Sequence, residues 1–368
     1  MHIERIELWR VHMPLVRPFE TSVARQDTRT SFILKMFSNG LVGYGECVAE
    51  TDPSYSYETL ETAHYVLKEF IVPPLLGWDF NHPREVLPKL AHVRGHPMAK
   101  TTVEAAAWDL WAKGQGISLR QALGGVKDTI PAGVSLGVEP TIADLLRQIE
   151  RYLEAGYQRI KIKIKPGWDV ETVQAVRQAF PDTPLQVDAN GAYTIADSEI
   201  FQALDDFDLL LIEQPFEYDD LVDHAQLQTL LKTPVCLDES ISSVNAARAA
   251  LALGSCRVIN IKMGRVGGLS ASLRVHDLCQ EAGVPVWCGG MLETGIGRAH
   301  NLALASLANF KLVPDISASA RYFQHDIIDP PVTLGADGMI PIPDGPGIGV
   351  ALDEKRVAEV GSRIEVWQ

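Results

Sequence analysis

Five charged residues follow strand-like apolar segments at an almost constant spacing. They are Lys163, Asp188, Glu213, Asp238 and Lys262, and the steps between them are 25, 25, 25 and 24 residues. A buried strand, a turn and a helix together need about this length to bring the chain back to the same end of a parallel sheet. We therefore expect the five side chains to meet at one rim, where such sheets carry their chemistry.

The three carboxylates of this set indicate a metal site. Asp188, Glu213 and Asp238 offer oxygen ligands from successive strand ends, and the set contains neither histidine nor cysteine. Oxygen ligands alone favour Mg²⁺ or Mn²⁺ over zinc or copper, and an incomplete protein shell leaves positions for water and a substrate carboxylate. The structural alternative is that these carboxylates are solvated or pair with Lys161 and Lys163.

The two lysines at the ends of the set can act as bases. A free lysine has a pKa near ~10.4 and is mostly charged at neutral pH. A divalent cation and a second lysine nearby disfavour the ammonium form of Lys163 and Lys262, and each amine could then take a proton from a carbon acid. Arg265 would lower the basicity of Lys262 further, unless it is a surface loop residue. Lys161 lies on the same side of its strand as Lys163, and either faces the site or holds a ligand carboxylate in place.

Such a site supports removal of a proton from the carbon next to a carboxylate. That proton is very weakly acidic, so a bound metal and nearby cations must stabilise the enediolate that forms. Bases on opposite faces would interconvert enantiomers, whereas one base and a leaving group would give an elimination.

The same spacing extends in both directions and predicts the fold. One step before Lys163 lies the apolar run 132–136, and the steps after Lys262 reach 284–288 and 310–315. Eight strands close a (β/α) barrel, and their regularity favours a barrel over a doubly wound open sheet. Apolar residues recur at three- and four-residue intervals between the strands and predict helices over 169–179, 195–207, 225–231, 243–253 and 269–282.

The remaining segments predict a second domain. Residues 30–37 and 41–47 predict a β-hairpin that turns through Ser38-Asn39-Gly40. Helices are expected after it over 56–70, 83–90 and 98–113, and another over 354–360. We expect an α+β capping domain over 1–125, completed by the C-terminal tail 325–368, and a TIM-like (β/α)7β barrel over 126–324.

Composition excludes several classes of function. The net charge of −14 and the lack of a Lys/Arg block argue against a nucleic-acid partner. No apolar run reaches membrane-spanning length, and the N-terminus lacks the apolar core of a signal peptide. The five cysteines lie mainly in apolar runs without a Cys-x-x-Cys pair. This indicates reduced core residues of a cytoplasmic protein and argues against a zinc site.

The combined pattern resembles the enolase superfamily, within its muconate-lactonizing-like group. Beyond Lys161-Ile162-Lys163 and the other rim residues, finer motifs resemble the o-succinylbenzoate synthase / N-succinylamino acid racemase branch; they span 164–169, 187–190, 261–268 and 289–298. A mandelate-racemase-like enzyme would carry a histidine base in place of Lys262. A dipeptide epimerase would show Asp-x-Asp where this chain has Asp315-Ile316-Ser317.

The resemblance implies a cofactor and an activity. The cofactor would be Mg²⁺, which Mn²⁺ can replace, with Lys163 as base and acid and Lys262 as second base or as a cation stabilising the enediolate. The activity would be o-succinylbenzoate synthesis for menaquinone, together with racemisation of N-succinylamino acids, in a homo-oligomer that takes a small-molecule carboxylate. Three alternatives stay open: racemisation as the main role, a muconate-type cycloisomerase, and a barrel that only binds metal or a partner protein.

Further residues are expected to support the site, namely Ser135, Asn190, Glu239, Gly290, Met291, Leu292 and Phe19. Ser135 would hydrogen-bond the substrate or simply end a strand, while Asn190 and Glu239 would orient the metal ligands. The residues after the seventh strand would form an apolar wall for a succinyl group. The resemblance also implies a mobile specificity loop over 18–25, in which Phe19 buries the substrate or only packs.

Overall fold

The computed structural model describes residues 1–20 and 25–368. Its strands are β1 Arg5–Glu20, β2 Arg25–Ser38, β3 Leu41–Cys47, β4 Thr129–Pro131, β5 Gly133–Leu136, β6 Arg159–Lys163, β7 Leu185–Asp188, β8 Ile212–Glu213, β9 Val235–Leu237, β10 Val258–Ile261, β11 Val286–Cys288, β12 Ile328–Asp329, β13 Met339–Pro341, β14 Ala351–Leu352 and β15 Gly361–Trp367. Its α-helices are α1 Leu60–Val66, α2 Val86–Lys89, α3 Pro97–Gln115, α4 Leu119–Leu123, α5 Ile142–Glu154, α6 Val170–Ala179, α7 Ser198–Leu204, α8 Val222–Leu230, α9 Val244–Leu253, α10 Met263–Val266, α11 Leu269–Glu281, α12 Gly295–Ala305 and α13 Glu354–Val360.

Parallel strands β5 to β11 form one sheet in sequence order, which is the arrangement the constant spacing predicts. Helices α5 to α9 and α11 lie between successive strands, as a right-handed βα succession requires. The expected (β/α)7β barrel with a separate antiparallel domain is confirmed.

The predicted eighth strand, 310–315, is not a regular strand: the segment runs along β11 with one isolated parallel bridge between Val286 and Phe310. The amide of Lys311 donates to the carbonyl of Val286 at 3.1 Å, and the amide of Asp315 donates to that of Cys288 at 2.8 Å. Arg159 at the start of β6 donates to the carboxylate of Asp315 at 2.6 Å. Pro314 has no N–H to give to a ladder, which explains why the segment is irregular.

The capping domain contains a four-stranded antiparallel sheet in the order β15–β1–β2–β3. The predicted hairpin is present, with Ser38 opposite Leu41 and positive φ angles of 49° at Asn39 and 75° at Gly40. Strand β1 was not predicted. It contains two prolines, which argue against a regular strand, and its register with β2 shifts between Pro14 and Phe19.

The first capping-domain helix begins later than predicted. The sequence predicts a helix over 56–70, but α1 begins at Leu60 because Thr59 caps it: the Thr59 hydroxyl accepts a hydrogen bond from the amide of Thr62. Residues before Thr59 are thereby free to form a loop toward the barrel. The helix predicted over 354–360 spans those residues.

The C-terminal tail contacts both domains. Strand β15 pairs with β1 in the capping sheet, while β13 pairs with β4 next to the barrel. We propose that residues 1–125 and 325–368 form the capping domain and that residues 126–324 form the barrel domain. The five cysteines are buried and unpaired, and no helix in the described part of the chain is long and apolar enough to cross a membrane.

Candidate active site

The barrel register brings the charged residues to one rim. Lys163 lies opposite Asp188 in the β6–β7 pair, and Asp188 lies opposite Glu213 in the β7–β8 pair. Asp238 directly follows β9, and Lys262 directly follows β10. The lysines line a cavity of about 150 Å³ between the barrel and the capping domain. The constant spacing of the strand ends therefore does bring these charged side chains close together.

Lys161 lies beneath the rim and joins three carboxylates. Its Nζ lies 3.1 Å from Asp188 Oδ2, 3.1 Å from Glu213 Oε2 and 2.7 Å from Asp315 Oδ2. Burial lowers the pKa of this amine, but Asp315, Glu213 and Asp188 outweigh burial and raise it overall. Its contacts thus make Lys161 the cation that links the three carboxylates.

Lys163 and Lys262 occupy opposite sides of the carboxylate row. Lys163 Nζ donates to Asp188 Oδ2 at 2.6 Å and to Asn190 Oδ1 at 2.7 Å. Lys262 Nζ donates to Asp238 Oδ2 at 2.8 Å and lies 3.1 Å from the hydroxyl of Tyr55. The two amines can therefore approach a substrate bound between them from different directions.

The pKa shifts of the carboxylates and lysines in this row differ in part from those the sequence predicts. Burial raises the pKa of Asp188, but Lys163 and Lys161 outweigh it and hold that pKa below its usual range. Burial lowers the pKa of Lys262, yet Tyr55 and the carboxylates of Glu239 and Glu213 raise it overall. From the sequence we expect a lowered pKa for Lys262. A divalent cation at the carboxylates would act in the lowering direction, because positive charge disfavours the ammonium form.

Arg265 is buried, with 4% of its surface exposed, so the interpretation as a surface loop residue is wrong. Its Nη1 contacts Asp238 Oδ1 and lies 3.2 Å from the Tyr55 hydroxyl. Its Nε and Nη2 donate to the carbonyls of Ile241 and Asn260 at 2.9 and 2.6 Å. Arg265 therefore acts on the Lys262 side of the site through Asp238 and Tyr55.

The structure brings the predicted supporting residues to the same cavity, which is lined by Ser135, Asn190, Glu239, Gly290, Met291, Leu292 and Phe19. Asn190 donates to Glu239 Oε1 at 2.9 Å, and so links Lys163 to a second carboxylate. Leu292 has a φ of 55°, which turns the chain sharply at the cavity wall. Part of the predicted specificity loop, 21–24, lies outside the described residues.

Among the residues of the site that were missed from sequence are Tyr55, Asp315 and Asn260. Tyr55 comes from a capping-domain loop, where no periodic pattern points to it. Asp315 ends the predicted eighth strand, but the constant spacing did not mark it as a site residue, because an irregular segment does not keep the strand period. Asn260 donates to Glu213 Oε1 at 2.8 Å, and strand alternation with Lys262 could have found it.

The donor set fits a hard divalent cation. Asp188, Glu213 and Asp238 supply only oxygens, and Glu239 Oε2 is buried without a hydrogen-bond partner among the described residues. In this structure these carboxylates form ion pairs with Lys161, Lys163, Lys262 and Arg265. No three His, Cys, Asp or Glu side chains of residues 1–20 and 25–368 form a ready metal site. Binding would thus require the carboxylates to exchange cation partners.

Comparison with known families matches both parts of the chain. Residues 5–124 match the mandelate racemase / muconate lactonizing enzyme N-terminal domain, and residues 144–356 match the enolase C-terminal domain-like family. Members of the enolase superfamily generally depend on a divalent metal ion.

Comparison with individual proteins gives full-length matches. The o-succinylbenzoate synthase of Geobacillus kaustophilus is 53% identical over 358 residues, covering 97% of this chain and 95% of the relative. The N-succinylamino acid racemase of Thermus thermophilus is 49% identical over 368 residues, covering 100% of this chain and 98% of the relative.

Solved structures of related proteins have the same fold over almost the whole chain. A member of the enolase superfamily from Listeria innocua superimposes with a TM-score of 0.96 at 41% identity, covering 100% of this chain and 99% of that chain. The muconate lactonizing enzyme of Pseudomonas fluorescens superimposes with a TM-score of 0.93 at 26% identity, over 98% and 99% of the two chains. The chain therefore belongs to the mandelate racemase / muconate lactonizing enzyme family of the enolase superfamily.

Proposed function

We propose that this chain is a Mg²⁺-dependent o-succinylbenzoate synthase that also racemises N-succinylamino acids. The observation that carries the proposal is the pair of lysines on opposite sides of one carboxylate row, Lys163 beside Asp188 and Lys262 beside Asp238. Full-length relatives named for each of these two activities support it. Both reactions begin with removal of an α-proton, and both substrates carry a succinyl group, so one site can serve both.

In the dehydration, Lys163 is the base and then the acid. Its neutral amine takes the α-proton of 2-succinyl-6-hydroxy-2,4-cyclohexadiene-1-carboxylate, which leaves an enediolate. The ammonium then returns that proton to the departing hydroxyl as the C–O bond breaks, and water leaves. A cation held by Asp188, Glu213 and Asp238 would supply charge stabilisation for the enediolate. Lys262, opposite, needs only its positive charge in this reaction.

Racemisation requires Lys262 to transfer a proton as well. One lysine removes the α-proton of one enantiomer, and the other donates a proton to the opposite face. Lys262 must then alternate between amine and ammonium, whereas Lys161 stays charged among its three carboxylates. The racemase role is the second candidate, and the position of Lys262 across the carboxylate row from Lys163 supports it.

The cavity itself favours a substrate with a mixed surface. Met291 and Leu292 contribute apolar surface to its lining, and Lys161, Lys163 and Asn190 contribute polar groups. Such a cavity fits a carboxylate with a less polar extension. A muconate-type cycloisomerase keeps the same lysines and carboxylates but is supported only by relatives of much lower identity.

The wider setting follows from this activity. We infer that the enzyme acts in menaquinone biosynthesis in the cytoplasm, as a homo-oligomer, on a small-molecule carboxylate and without a nucleic-acid or membrane partner. Mn²⁺ would substitute for Mg²⁺, because both accept an all-oxygen site.

A three-substrate assay tests the proposal. Purified protein with Mg²⁺ is offered the cyclohexadiene carboxylate, an N-succinylamino acid and cis,cis-muconate, with product formation followed for each. We expect o-succinylbenzoate with the first, slower racemisation of the second and no lactone from the third. Lactone formation without dehydration would reject the proposed activity and favour the cycloisomerase.

A further inference from the structure

A short segment of the capping domain, Glu46 to Glu50, is inserted between two loops of the barrel. Glu46 is 1% exposed, although it belongs to β3 of the other domain. Its neighbour Val48 packs on Gly264, where an added Cβ would lie 2.2 Å from Val48 Cγ2. Glu50, at the end of the segment, lines the catalytic cavity.

Glu46 caps the barrel helix that follows the seventh strand. Its Oε1 accepts from the amide of Thr294 at 3.0 Å, and its Oε2 accepts from the Thr294 hydroxyl at 2.7 Å and from the amide of Gly297 at 2.9 Å. These amides belong to the first turn of α12, where backbone donors have no partner within the helix. A carboxylate from one domain therefore supplies the cap for a helix of the other.

The capped helix is continuous with the cavity wall. Met291 and Leu292 lie three and two residues before Thr294 and line the cavity, and Met291 packs into the capping-domain core together with Val48. Glu293 holds the same turn from inside, because its Oε2 accepts from the amide of Met291 at 2.9 Å. The position of this wall thus depends on how Glu46 fixes Thr294.

We propose that Glu46 is a positioning residue that sets the wall formed by Met291 and Leu292, and through it the selectivity for the part of the substrate that does not react. The inference rests on the proposed function for the identity of the substrates. Glu46 does not line the catalytic cavity. Its effect should therefore appear in substrate binding and preference, with little change in the proton-transfer steps.

Glu104 offers a matched control in the same domain. It is also fully buried and also caps a barrel helix: its Oε2 accepts from the amide of Leu269 at 2.8 Å, and its Oε1 accepts from the amide of Ser270 at 2.9 Å. That helix, α11, is not part of the cavity lining. Glu104→Gln therefore weakens an interdomain cap as Glu46→Gln does, but away from the wall.

The test combines hydrogen exchange with kinetics on the full-length enzyme. In Glu46→Gln we expect amide exchange at Thr294 and Gly297 to rise about tenfold or more, with residues 269–273 unchanged, because local opening follows the lost cap. KM for the cyclohexadiene carboxylate should rise about tenfold while kcat stays within about threefold. Glu104→Gln should show the reverse exchange pattern and an unchanged ratio of dehydration to racemisation.

Each outcome decides the proposal. Equal KM changes in both variants, or faster exchange at Thr294 with unchanged KM, would overturn it. If Glu46→Gln does not fold, Thr294→Val removes only the hydroxyl donor; a KM rise of about threefold supports the proposal and an unchanged KM overturns it. A wild-type enzyme inactive on every substrate would reject the proposed function, while exchange at Thr294 would still test whether Glu46 caps α12.

Discussion

At the scale of single residues, Lys163 and Lys262 differ in what holds them. Lys163 lies between Asp188 and an asparagine, whereas Lys262 lies between Asp238 and the phenol of Tyr55, with its Nζ 4.7 Å from the centre of that ring. A carboxylate and a phenol hydroxyl fix the direction of an amine more tightly than solvent does. The two amines are therefore held in place before substrate arrives.

Replacing either lysine by alanine should abolish racemisation but leave different partial reactions. We expect Lys163→Ala and Lys262→Ala each to lower racemisation by about 10²–10⁴-fold, since each enantiomer needs its own base. In deuterated water each variant should still exchange the α-proton of one enantiomer, a different one in each case, as followed by proton NMR. Racemisation at the wild-type rate in either variant would show that the two-base assignment is wrong.

Removing the Tyr55 hydroxyl should separate the two reactions. Tyr55→Phe keeps the ring beside Lys262 but loses the hydroxyl that lies 3.1 Å from its Nζ and 3.2 Å from Arg265. We expect kcat for racemisation to fall about tenfold and dehydration to fall less than about threefold, because the hydroxyl fixes the direction of the Lys262 amine, which only racemisation uses as a base. Tyr65→Phe, at an exposed position of α1, is the control. Equal losses in both reactions would contradict this role.

At the scale of elements, the start of α3 depends on a buried carboxylate in the loop that also carries Tyr55. Glu58 accepts from the amides of Met98 and Ala99, both at 2.8 Å, and burial raises its pKa from the ordinary value to about 7. A carboxyl with a raised folded pKa binds its proton more tightly in the folded than in the unfolded protein. The contribution of Glu58 to stability is therefore fully present below about pH 4.5, falls as the pH rises, and is gone above about pH 7.

This linkage predicts a measurable pH dependence of thermal stability. Ionising Glu58 between its unfolded and folded pKa values, about 2.5 pH units apart, removes on the order of 3 kcal/mol. We expect the Tm of wild type to fall between pH 5 and pH 7.5 by more than that of Glu58→Gln, whose side chain stays neutral. Glu61→Gln, an exposed position of α1, serves as the control. Parallel pH profiles for wild type and Glu58→Gln would rule this linkage out.

At the scale of the whole molecule, the sequence predicts the barrel better than the parts that close over it. The period of the strands places Lys163, Asp188 and Lys262 correctly because one strand, turn and helix have nearly fixed length. No such rule governs the contacts between the two domains. Neither the position of Tyr55 nor the cap from Glu46 can therefore be predicted from one sequence. Strand β1 was missed for a related reason, since its prolines are tolerated only where its register shifts.

The same scale explains why the proposed metal site is only partly preformed. Its proposed donors come from three strand ends, and four cations, Lys161, Lys163, Lys262 and Arg265, neutralise them in this structure. Burying three carboxylates without such partners would cost several kcal/mol each. A metal ion must therefore compete with these ion pairs, and its binding must redistribute charge around both bases.

Metal dependence of the dehydration tests this account most directly. Enzyme stripped with a chelator and shown by elemental analysis to be metal-free is mixed with the cyclohexadiene carboxylate, and o-succinylbenzoate is followed as Mg²⁺ is added back. We predict no turnover before addition and full recovery at saturating Mg²⁺ or Mn²⁺, with little recovery in Asp188→Asn, because that change removes a charged oxygen ligand. Full turnover by metal-free wild-type enzyme would contradict the assignment of Asp188, Glu213 and Asp238 as metal ligands.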